Sequence, residues 1–362
     1  MTDLEKAREL INETDNEMAR LFEKRMDAVK MVSAYKKERG IPVEDLSREK
    51  EMLKRNIAKI ESDEYRPYYV NFLQSVVNLS KNYQHRLLDG IRVAYSGVEG
   101  AFSEIAAKRI LPQATCVPCS NFQVAYDAVV DGQCDCALLP VENSFNGDVG
   151  KVLDLAFFGP LHITGVYEAE VVQNLLGIEG AKISEIQQVI SHPQALGQCA
   201  SYIAQHGFEA IQAANTALAA KQVAEMGNPN IAAIGSEEAA AKYGLVKLDS
   251  RINEKTNNTT RFAMFSRTAK VPSKKDNHFI LLFTVKNIAG ALGQAVSVVG
   301  EHGFNLRMLK SRPTKDLIWE YYFYAEGEGN IGSKEGKMML NELKEYCSHI
   351  KVLGSFEKEI KL

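Results

Sequence analysis

The chain has 362 residues and a formal net charge of -3. This length exceeds that of one ordinary domain, so we expect two or three. Proteins that bind nucleic acid or anionic membranes carry a basic surface, and the near-neutral charge argues against both classes. No apolar run approaches the roughly 20 residues that span a bilayer, and the charged first residues differ from a signal peptide. The sequence therefore predicts a cytoplasmic protein.

The six cysteines raise the question of a metal site. Cys116-x-x-Cys119 and Cys134-x-Cys136 have the close spacing of zinc ligands. Both pairs lie in short strand-like runs, and no histidine or second cysteine pair follows at ligand spacing. We therefore expect reduced, partly buried thiols and no metal.

The apolar residues of the first 90 positions predict an all-helical domain. Apolar side chains recur every three or four residues as far as Arg39, and Gly40-Ile41-Pro42 ends the pattern. The predicted helix is about 54 Å long. Two shorter helices of the same chain cannot cover so long an apolar stripe, so we expect a second copy of the chain to cover it.

Two cations, Arg25 and Lys36, lie on this apolar stripe. Their stems could extend to solvent, or the two charges could line a pocket for an anionic ligand. A second predicted helix, from about residue 44, has a charged face that suits either an exposed ion-pair ladder or the same pocket. A third predicted helix, over residues 65–88, has polar residues one turn apart beside its apolar face.

Together these residues resemble the all-helical chorismate mutases, which are interlocked dimers. The matching positions are Arg8, Arg25, Lys36, Asp45-x-x-Arg48-Glu49, Gln74 and Ser80-x-x-x-Gln84. The resemblance implies that Arg25 and Arg48, with Arg8 of the partner subunit, bind the carboxylates of chorismate. It also implies that Asp45 and Glu49 bind the substrate hydroxyl, and that Lys36 and Gln84 bind the ether oxygen. Ser80 belongs to the same substrate-binding set.

Residues 91–268 alternate between strand-like, turn and helical patterns, which is typical of an α/β domain with a parallel sheet. Two such runs of similar size predict two lobes with a cleft between them. Polar clusters accompany strand-like runs at residues 140–144, 191–194 and 257–262. We expect these clusters to meet at the cleft, with the glycine turn at 97–100 as one wall.

The order of motifs in this region resembles that of prephenate dehydratase. The motifs are Gly-x-x-Gly-x-x-Ser, Pro-Val-Glu-Asn-Ser-x-x-Gly, Ser-His-Pro-Gln-Ala-Leu-Gly-Gln-Cys, Asn-Thr-Ala, Gly-Ser-Glu-Glu-Ala-Ala and Thr-Arg-Phe. The resemblance implies a periplasmic-binding-protein-like fold. It implies a site built from Glu142, Asn143, Ser144, Ser191, Gln198, Thr216, Thr260, Arg261 and Phe262.

Two residues compete for the central role in the implied dehydration. Thr260 could hydrogen-bond or protonate the departing hydroxyl, or it could orient the substrate while Glu142 supplies the proton. Arg261 is expected to bind a substrate carboxylate. The sequence leaves the choice between Thr260 and Glu142 open.

Residues 277–362, after a polar linker at 270–276, predict strands and helices in the order βαββαβ. This order suits a ferredoxin-like sheet with two helices on one face. Aromatic residues from Trp319 to Tyr324 would suit an RNA-binding sheet of the same topology. The RNP sequence and a basic surface are both missing, so we do not expect nucleic acid as a partner.

Three short segments of this last region resemble the amino-acid-binding ACT domain. They are Gly290-Ala291-Leu292, Asn305 and Ser311-Arg312-Pro313. The resemblance implies that phenylalanine binds these residues at a dimer interface and acts as a feedback inhibitor. Gly293 and Lys310 depart from the pattern, because the family usually has a larger apolar residue and a glutamate there.

The sequence thus predicts a bifunctional enzyme with domains at 1–90, 91–268 and 277–362, which converts chorismate to prephenate and prephenate to phenylpyruvate. We expect a homodimer or higher homo-oligomer, no metal or other cofactor, and no membrane partner. One alternative is a catalytically silent regulatory protein that binds ligands of the same pathway. Another pairs the mutase with a dehydrogenase, which needs a dinucleotide fingerprint that the turn at 97–100 lacks.

Overall fold

The computed structural model describes residues 2–254, 258–314 and 320–362 and divides into two units, Met1–Arg92 and Val93–Leu362. The predicted α/β and βαββαβ regions both fall in the second unit. Asn257, part of a predicted polar cluster, lies outside the described residues. The third strand of the βαββαβ region is predicted over residues 318–325, and its first two residues also lie outside the described residues.

Three helices form the first unit, namely α1 (Asp3–Arg39), α2 (Leu46–Ile57) and α3 (Arg66–Asp89). A capping box between Thr2 and Glu5 begins α1, and Gly40 ends it in the left-handed conformation. Of the described α1 residues, only Val29 and Ser33 are buried. The predicted apolar stripe is largely exposed at Leu4, Ile11, Met18, Leu21, Phe22 and Val32. A single copy of the unit therefore leaves this stripe in water.

The second unit contains sixteen strands and nine helices among its described residues. The strands are β1 (Arg92–Ser96), β2 (Thr115–Cys119), β3 (Cys136–Asn143), β4 (Gly147–Asp148), β5 (His162–Glu170), β6 (Asn174–Gly177), β7 (Gln188–Ser191), β8 (Glu209–Gln212), β9 (Ile231–Gly235), β10 (Val246–Asp249), β11 (Thr259–Ser266), β12 (His278–Val285), β13 (Asn305–Pro313), β14 (Tyr321–Glu328), β15 (Cys347–Phe356) and β16 (Ile360–Lys361). The helices are α4 (Phe102–Ile110), α5 (Phe122–Val130), α6 (Gly150–Phe158), α7 (Pro193–Gln198), α8 (Ala200–His206), α9 (Thr216–Met226), α10 (Glu237–Tyr243), α11 (Ala291–Glu301) and α12 (Lys334–Tyr346), and a 3-10 turn spans Ile183–Glu185.

Two sheets give the α/β region its two lobes. The first lobe has the strand order β2-β1-β3-β11-β5, and the second has β8-β7-β9-β6-β10. The expectation of a parallel sheet holds for β1 with β3 and for β7 with β8 and β9. It is wrong for β11, which is antiparallel to β3 and β5, and for β6, which is antiparallel to β9 and β10. Strand β11 is antiparallel because the chain returns through it from the second lobe to the first.

The last region has the predicted βαββαβ order, with strands arranged β13-β14-β12-β15. Helices α11 and α12 cover one face of this sheet. The other face packs against the first lobe, where Tyr322 and Tyr324 are buried and Phe157 of α6 stacks on Tyr322 at 4.1 Å. Strand β15 also pairs with β5 through Gly354 and Ile163, which makes one continuous sheet of both regions.

Helix α6 is held at its middle and at its end by the C-terminal sheet. Arg312 of β13 makes a two-point contact with Asp154, from Nε to Oδ1 at 2.8 Å and from Nη2 to Oδ2 at 3.1 Å. Lys351 of β15 donates from Nζ to the carbonyl oxygens of Ala156 at 2.9 Å and Gly159 at 2.6 Å. A cation at this position stabilises the carbonyl end of the helix.

Replacing Gly354 by alanine should weaken the junction between the two sheets. A Cβ at this position would overlap the carbonyl oxygen of Ile163 on the neighbouring strand, and the backbone cannot yield without breaking the pairing. We expect Gly354→Ala to lower the free energy of unfolding of the second unit by about 2 kcal/mol, measured by calorimetry. Gly300→Ala is the matched control, because it lies in α11 with open space around it, and it should be neutral or stabilising. Equal effects of the two substitutions would contradict the role of Gly354.

Candidate active sites

A cavity of about 670 Å³ lies between the two lobes of the second unit. Gly97 and Val98 of the predicted glycine turn form part of its wall. Of the predicted site residues, the structure brings five to this cavity, namely Asn143, Gln198, Thr216, Thr260 and Phe262. Its volume suits a small organic ligand.

Three helices of nine or more residues begin at this cavity, and none of the described residues that line it is Asp, Glu, Lys or Arg. The helices are α4, α5 and α9. Asn121 and Asn215 cap α5 and α9 by accepting hydrogen bonds from the helix backbone, whereas α4 has no side-chain cap. Helix N-termini carry partial positive charge and unpaired N–H groups. The cavity is therefore suited to an anion held by neutral donors.

Thr260 has its hydroxyl oriented by Asn143. The Asn143 Nδ2 group donates to Thr260 Oγ1 at 3.0 Å, while Asn143 Oδ1 accepts from the backbone N–H groups of Phe145 and Asn146 at 3.0 and 3.1 Å. These bonds fix which end of the amide faces Thr260. Since the Thr260 oxygen accepts a hydrogen bond there, its hydrogen can point to a ligand in the cavity.

An amide network continues from Asn143 across the two crossings between the lobes. Asn143 Nδ2 lies 3.2 Å from Asn258 Oδ1, and Asn258 Nδ2 donates to Gln198 Oε1 at 2.9 Å. Gln173 Nε2 is 3.3 Å from the same Gln198 oxygen. Gln173 was absent from the sequence prediction because it belongs to no motif and lies in a stretch without a recognisable periodicity. Its place in the network comes from the tertiary structure alone.

His192 faces the cavity as a neutral side chain. Burial lowers the pKa of His192. Its Nδ1 atom accepts a hydrogen bond from the backbone N–H of Gln194 at 3.2 Å and caps α7. The proton of the neutral ring is therefore on Nε2, which makes that atom a donor.

Two predicted site serines lie outside the cavity and hold its walls. Ser191 is fully buried and donates to the carbonyl oxygen of Ile234 at 2.6 Å. Ser144 accepts a hydrogen bond from the backbone N–H of Thr259 at 3.0 Å. These contacts tie neighbouring strands together, so the structure gives both serines a positioning role.

Glu142 and Arg261 also lie outside the cavity, which differs from the sequence expectation. Side chains alternate along a strand, so Arg261 points away from the face that carries its two neighbours on β11. Its guanidinium group contacts Glu142 at 2.8 Å, Glu326 at 2.7 Å and Glu359. Lys310 of β13 adds a second cation at 2.9 Å from Glu142. Both residues thus belong to an ion-pair cluster between the first lobe and the C-terminal sheet.

Glu142 and Arg261 are both charged at neutral pH. Burial works to raise the pKa of Glu142, but hydrogen bonds from Lys310 and Arg261 overcome it, and the pKa is lowered. Burial likewise disfavours the charged form of Arg261, and the surrounding carboxylates overcome it, so its pKa is raised. An ionised Glu142 on the far side of the strand cannot donate a proton into the cavity.

In the first unit, a second group of predicted residues meets between α1, α2 and α3. Arg25 donates to the hydroxyl of Ser80, and Gln84 lies one turn further along α3 with its Nε2 3.4 Å from the Ser80 carbonyl. Gln84 is buried, and its Oε1 has no partner among the described residues. Burial lowers the pKa of Arg25. The contact between Lys81 and Glu49, at 3.0 Å, closes one side of this group.

The remaining predicted residues of this unit are exposed or make other contacts within one chain. Arg8 and Arg48 are exposed, and Arg8 is about 26 Å from Arg25 along α1. Lys36 donates to the carbonyl oxygen of Val43 at 2.6 Å. Asp45 is the N-cap of α2 and accepts from the Arg48 backbone N–H at 3.1 Å, a bond that lowers the pKa of Asp45.

The six predicted regulatory residues lie at two ends of the C-terminal sheet. Gly290, Ala291 and Leu292 begin α11, at the same end of the sheet as Ser311 and Arg312 of β13. Asn305 is at the opposite end of β13, about 20 Å from Ser311, where it donates to Glu328 at 2.9 Å. One copy of the chain does not bring all six together. Arg312, moreover, is bound to Asp154 of α6.

Among the described residues, no group of three or more His, Cys, Asp or Glu side chains could hold a metal ion. All six cysteines are free thiols, and burial raises the pKa of Cys136 to about 12. The helices in the described part of the chain are all too short or too polar to cross a membrane.

Comparisons with known proteins agree with this geometry. Residues 93–270 match the family model of prephenate dehydratase, and residues 7–85 match that of chorismate mutase type II. The chain is 30% identical over 372 residues to the bifunctional chorismate mutase/prephenate dehydratase of Escherichia coli, covering 97% of this chain and 95% of the relative. It is 34% identical over 276 residues to arogenate dehydratase/prephenate dehydratase 2 of Arabidopsis thaliana, covering 74% and 72%.

A solved structure supports the fold of the second unit. Prephenate dehydratase from Arthrobacter aurescens, in complex with L-Phe, is 26% identical with a TM-score of 0.69, and the match covers 74% of this chain and 90% of that one. The expected two-lobed, periplasmic-binding-protein-like fold is thus confirmed. The chain belongs to the bifunctional chorismate mutase/prephenate dehydratase family.

Proposed function

We infer that the protein rearranges chorismate to prephenate in residues 1–90 and converts prephenate to phenylpyruvate in residues 91–268. The observation that carries the second activity is the Thr260 hydroxyl, which Asn143 orients inside a cavity where three helix N-termini meet. Membership of the family supports both activities. The silent regulatory protein and the mutase–dehydrogenase pair gain no support from any contact in the cavity.

The dehydratase needs only to hold the substrate and help one group leave. Prephenate loses carbon dioxide and hydroxide as its ring becomes aromatic. The N-termini of α4, α5 and α9 hold the substrate carboxylates through backbone N–H groups. Thr260 donates a hydrogen bond to the departing oxygen, where negative charge grows in the transition state. Phe262, beside it on the same face of β11, packs against the ring.

The mutase reaction is a rearrangement within one molecule, so it needs no nucleophile. Catalysis comes from holding a compact conformer and from stabilising charge on the ether oxygen as its bond to carbon breaks. Arg25 and Ser80 form the carboxylate end of this site, and Lys36 and Gln84 supply donors for the ether oxygen. Gln84 is buried between the helices, and its Nε2 makes one long contact, 3.4 Å from the Ser80 carbonyl oxygen, so this donor can turn to the ether oxygen.

A second copy of the chain completes the mutase site in this proposal. The exposed apolar stripe of α1 requires a partner, and an antiparallel α1 from another subunit covers it. The same arrangement brings Arg8 of the partner subunit toward Arg25. Arg48 then closes the site from α2, together with Asp45 and Glu49 at the substrate hydroxyl.

We also propose that residues 277–362 form an ACT domain that binds phenylalanine. The relative from Arthrobacter aurescens was solved with L-Phe, and the βαββαβ order suits the domain. Strand β13 is an edge strand, and antiparallel pairing with β13 of a second copy would bring Asn305 of one copy beside Ser311 of the other. The start of α11 supplies backbone groups to the same place. Arg312 acts through α6 rather than on the ligand.

One coupled assay tests the whole proposal. Chorismate is added to the purified protein, and its loss and the formation of phenylpyruvate are followed with and without phenylalanine. Formation of phenylpyruvate, at a rate that falls when phenylalanine is present, supports all three assignments. Accumulation of prephenate contradicts the dehydratase, and an unchanged amount of chorismate contradicts the mutase.

Lys36→Ala should abolish most mutase activity and leave the fold intact. The substitution removes the cation that stabilises the ether oxygen, so we expect kcat to fall by about 10² or more. Circular dichroism checks the helices, and the dehydratase rate with added prephenate is the internal control. A mutant within about threefold of the wild-type mutase rate would rule out this role for Lys36.

Thr260→Val should lower kcat for prephenate by about 10² or more, because it removes the hydroxyl and keeps the shape of the side chain. Glu142→Gln is the comparison. A carboxyl group that donates a proton must be protonated, so kcat would fall as pH rises through its pKa. Because the lowered pKa keeps Glu142 ionised, Glu142→Gln should leave the shape of the kcat–pH profile unchanged. Loss of a decline in kcat with rising pH in the Glu142 variant would restore the carboxyl group as the proton donor.

Arg312→Met should separate phenylalanine binding from inhibition. If Arg312 acts through Asp154 of α6, calorimetry will give a Kd for phenylalanine within about threefold of wild type, while inhibition of the dehydratase is lost. Arg307→Met, on the same strand without a contact to α6, is the control and should keep both. A variant that no longer binds phenylalanine would return Arg312 to the ligand site. Absence of heat with the wild-type protein would remove the regulatory proposal.

A further inference from the structure

Two buried amide groups at the cavity wall each have one atom without a hydrogen-bond partner among the described residues. Gln173 is 2% exposed and Gln198 is 3% exposed, and both line the cavity. Within the described parts of the chain, neither Gln173 Oε1 nor Gln198 Nε2 has a partner. A buried polar atom left unpaired is costly, so two in one cavity indicate a place where the polar group of a ligand is recognised.

The surrounding network determines which atoms are unpaired. Gln198 Oε1 accepts from Asn258 Nδ2 at 2.9 Å and lies 3.3 Å from Gln173 Nε2. Because an oxygen is required where two N–H groups converge, the Gln198 amide has its Nε2 free as a donor. Gln173 uses its Nε2 in the same contact, and its Oε1 is free as an acceptor. The cavity therefore offers one neutral donor and one neutral acceptor side by side.

This pair lies apart from the group that acts on the leaving hydroxyl. Three hydrogen bonds separate the Thr260 oxygen from the Gln198 amide, by way of Asn143 and Asn258. In prephenate the hydroxyl and the three-carbon side chain are on opposite carbons of the ring. A substrate with its hydroxyl at Thr260 thus directs its side chain away from Thr260, along the same wall.

We propose that Gln173 is a further substrate-contacting residue, which with Gln198 faces the polar group next to the side-chain carboxylate and sets how well a 2-amino acid competes with a 2-oxo acid. Gln198 Nε2 donates to the keto oxygen. An ammonium group in place of the keto group would need an acceptor, and of the two unpaired amide atoms only Gln173 Oε1 can accept. This inference rests on the proposed dehydratase function and adds a specificity determinant to it.

The electrostatics of the cavity explain the direction of the preference. A buried ammonium group needs a nearby carboxylate, and the described lining contains none. Helix N-termini further disfavour a cation. The neutral amide pair accommodates the keto group, so the unmodified protein should prefer the 2-oxo acid.

Two substitutions of Gln173 should move this preference in opposite directions. Gln173→Glu supplies a carboxylate of the same shape, so kcat/KM for prephenate should fall about tenfold. The ratio of kcat/KM for prephenate to kcat/KM for the 2-amino analogue should fall by about tenfold or more, because the carboxylate binds the ammonium group. Gln173→Met removes the acceptor at similar volume. It should lower turnover of the 2-amino analogue and leave that of prephenate within about threefold.

The control is Gln194→Glu, which places a new negative charge elsewhere on the same cavity wall. It should lower both values of kcat/KM by a similar factor and keep their ratio. Thermal unfolding of each variant checks that the second unit remains folded. Equal changes of the ratio in the Gln173 and Gln194 variants, or an unchanged ratio in both Gln173 variants, would overturn the inference. Absence of prephenate turnover in the unmodified protein would instead contradict the proposed function itself.

Discussion

Strand β11 imposes the constraint on which the second unit depends. It is hydrogen-bonded to β3 on one edge and to β5 on the other, so its register and its two faces are fixed. Thr260 and Phe262 therefore face the cavity, and Arg261 faces the C-terminal sheet. A shift by one residue would exchange the two sets. The cavity and the contact with the C-terminal sheet thus occupy opposite faces of one strand.

Charge is distributed between these faces in a way that suits the reaction. The described wall of the cavity has no Asp, Glu, Lys or Arg side chain, and its one histidine is neutral. Helix N-termini provide the positive potential. The fully charged groups, with Arg261 and Glu142 at the centre, lie on the other face. A dianionic substrate then binds through many backbone dipoles rather than one cation. The arrangement leaves the strong ion pairs free to join the C-terminal sheet to the first lobe.

The first unit follows a different principle. Its long helix extends past its own partners, so most of its apolar stripe is exposed and part of the proposed site is missing from one chain. In the proposed dimer, the same second subunit covers the stripe and completes the site. Oligomerisation and catalysis would therefore depend on one surface, which explains how a small three-helix unit can bind a compact dianion.

The sequence alone determined the elements whose periodicity is strong and whose ends carry clear signals. The pattern predicts elements over residues 122–130, 216–226 and 278–285, and helices α5 and α9 and strand β12 have these bounds. The motifs also placed Thr260 and Asn143 at the cavity. Helix α6 and strands β5 and β6 were not predicted, because that stretch lacks a distinct period. Only the tertiary structure decided which face of β11 meets the cavity, that Glu142 and Arg261 are paired behind it, and that Gln173 belongs to the wall. The reason is physical: alternation along a strand defines two faces, but the packing of distant elements decides what each face meets.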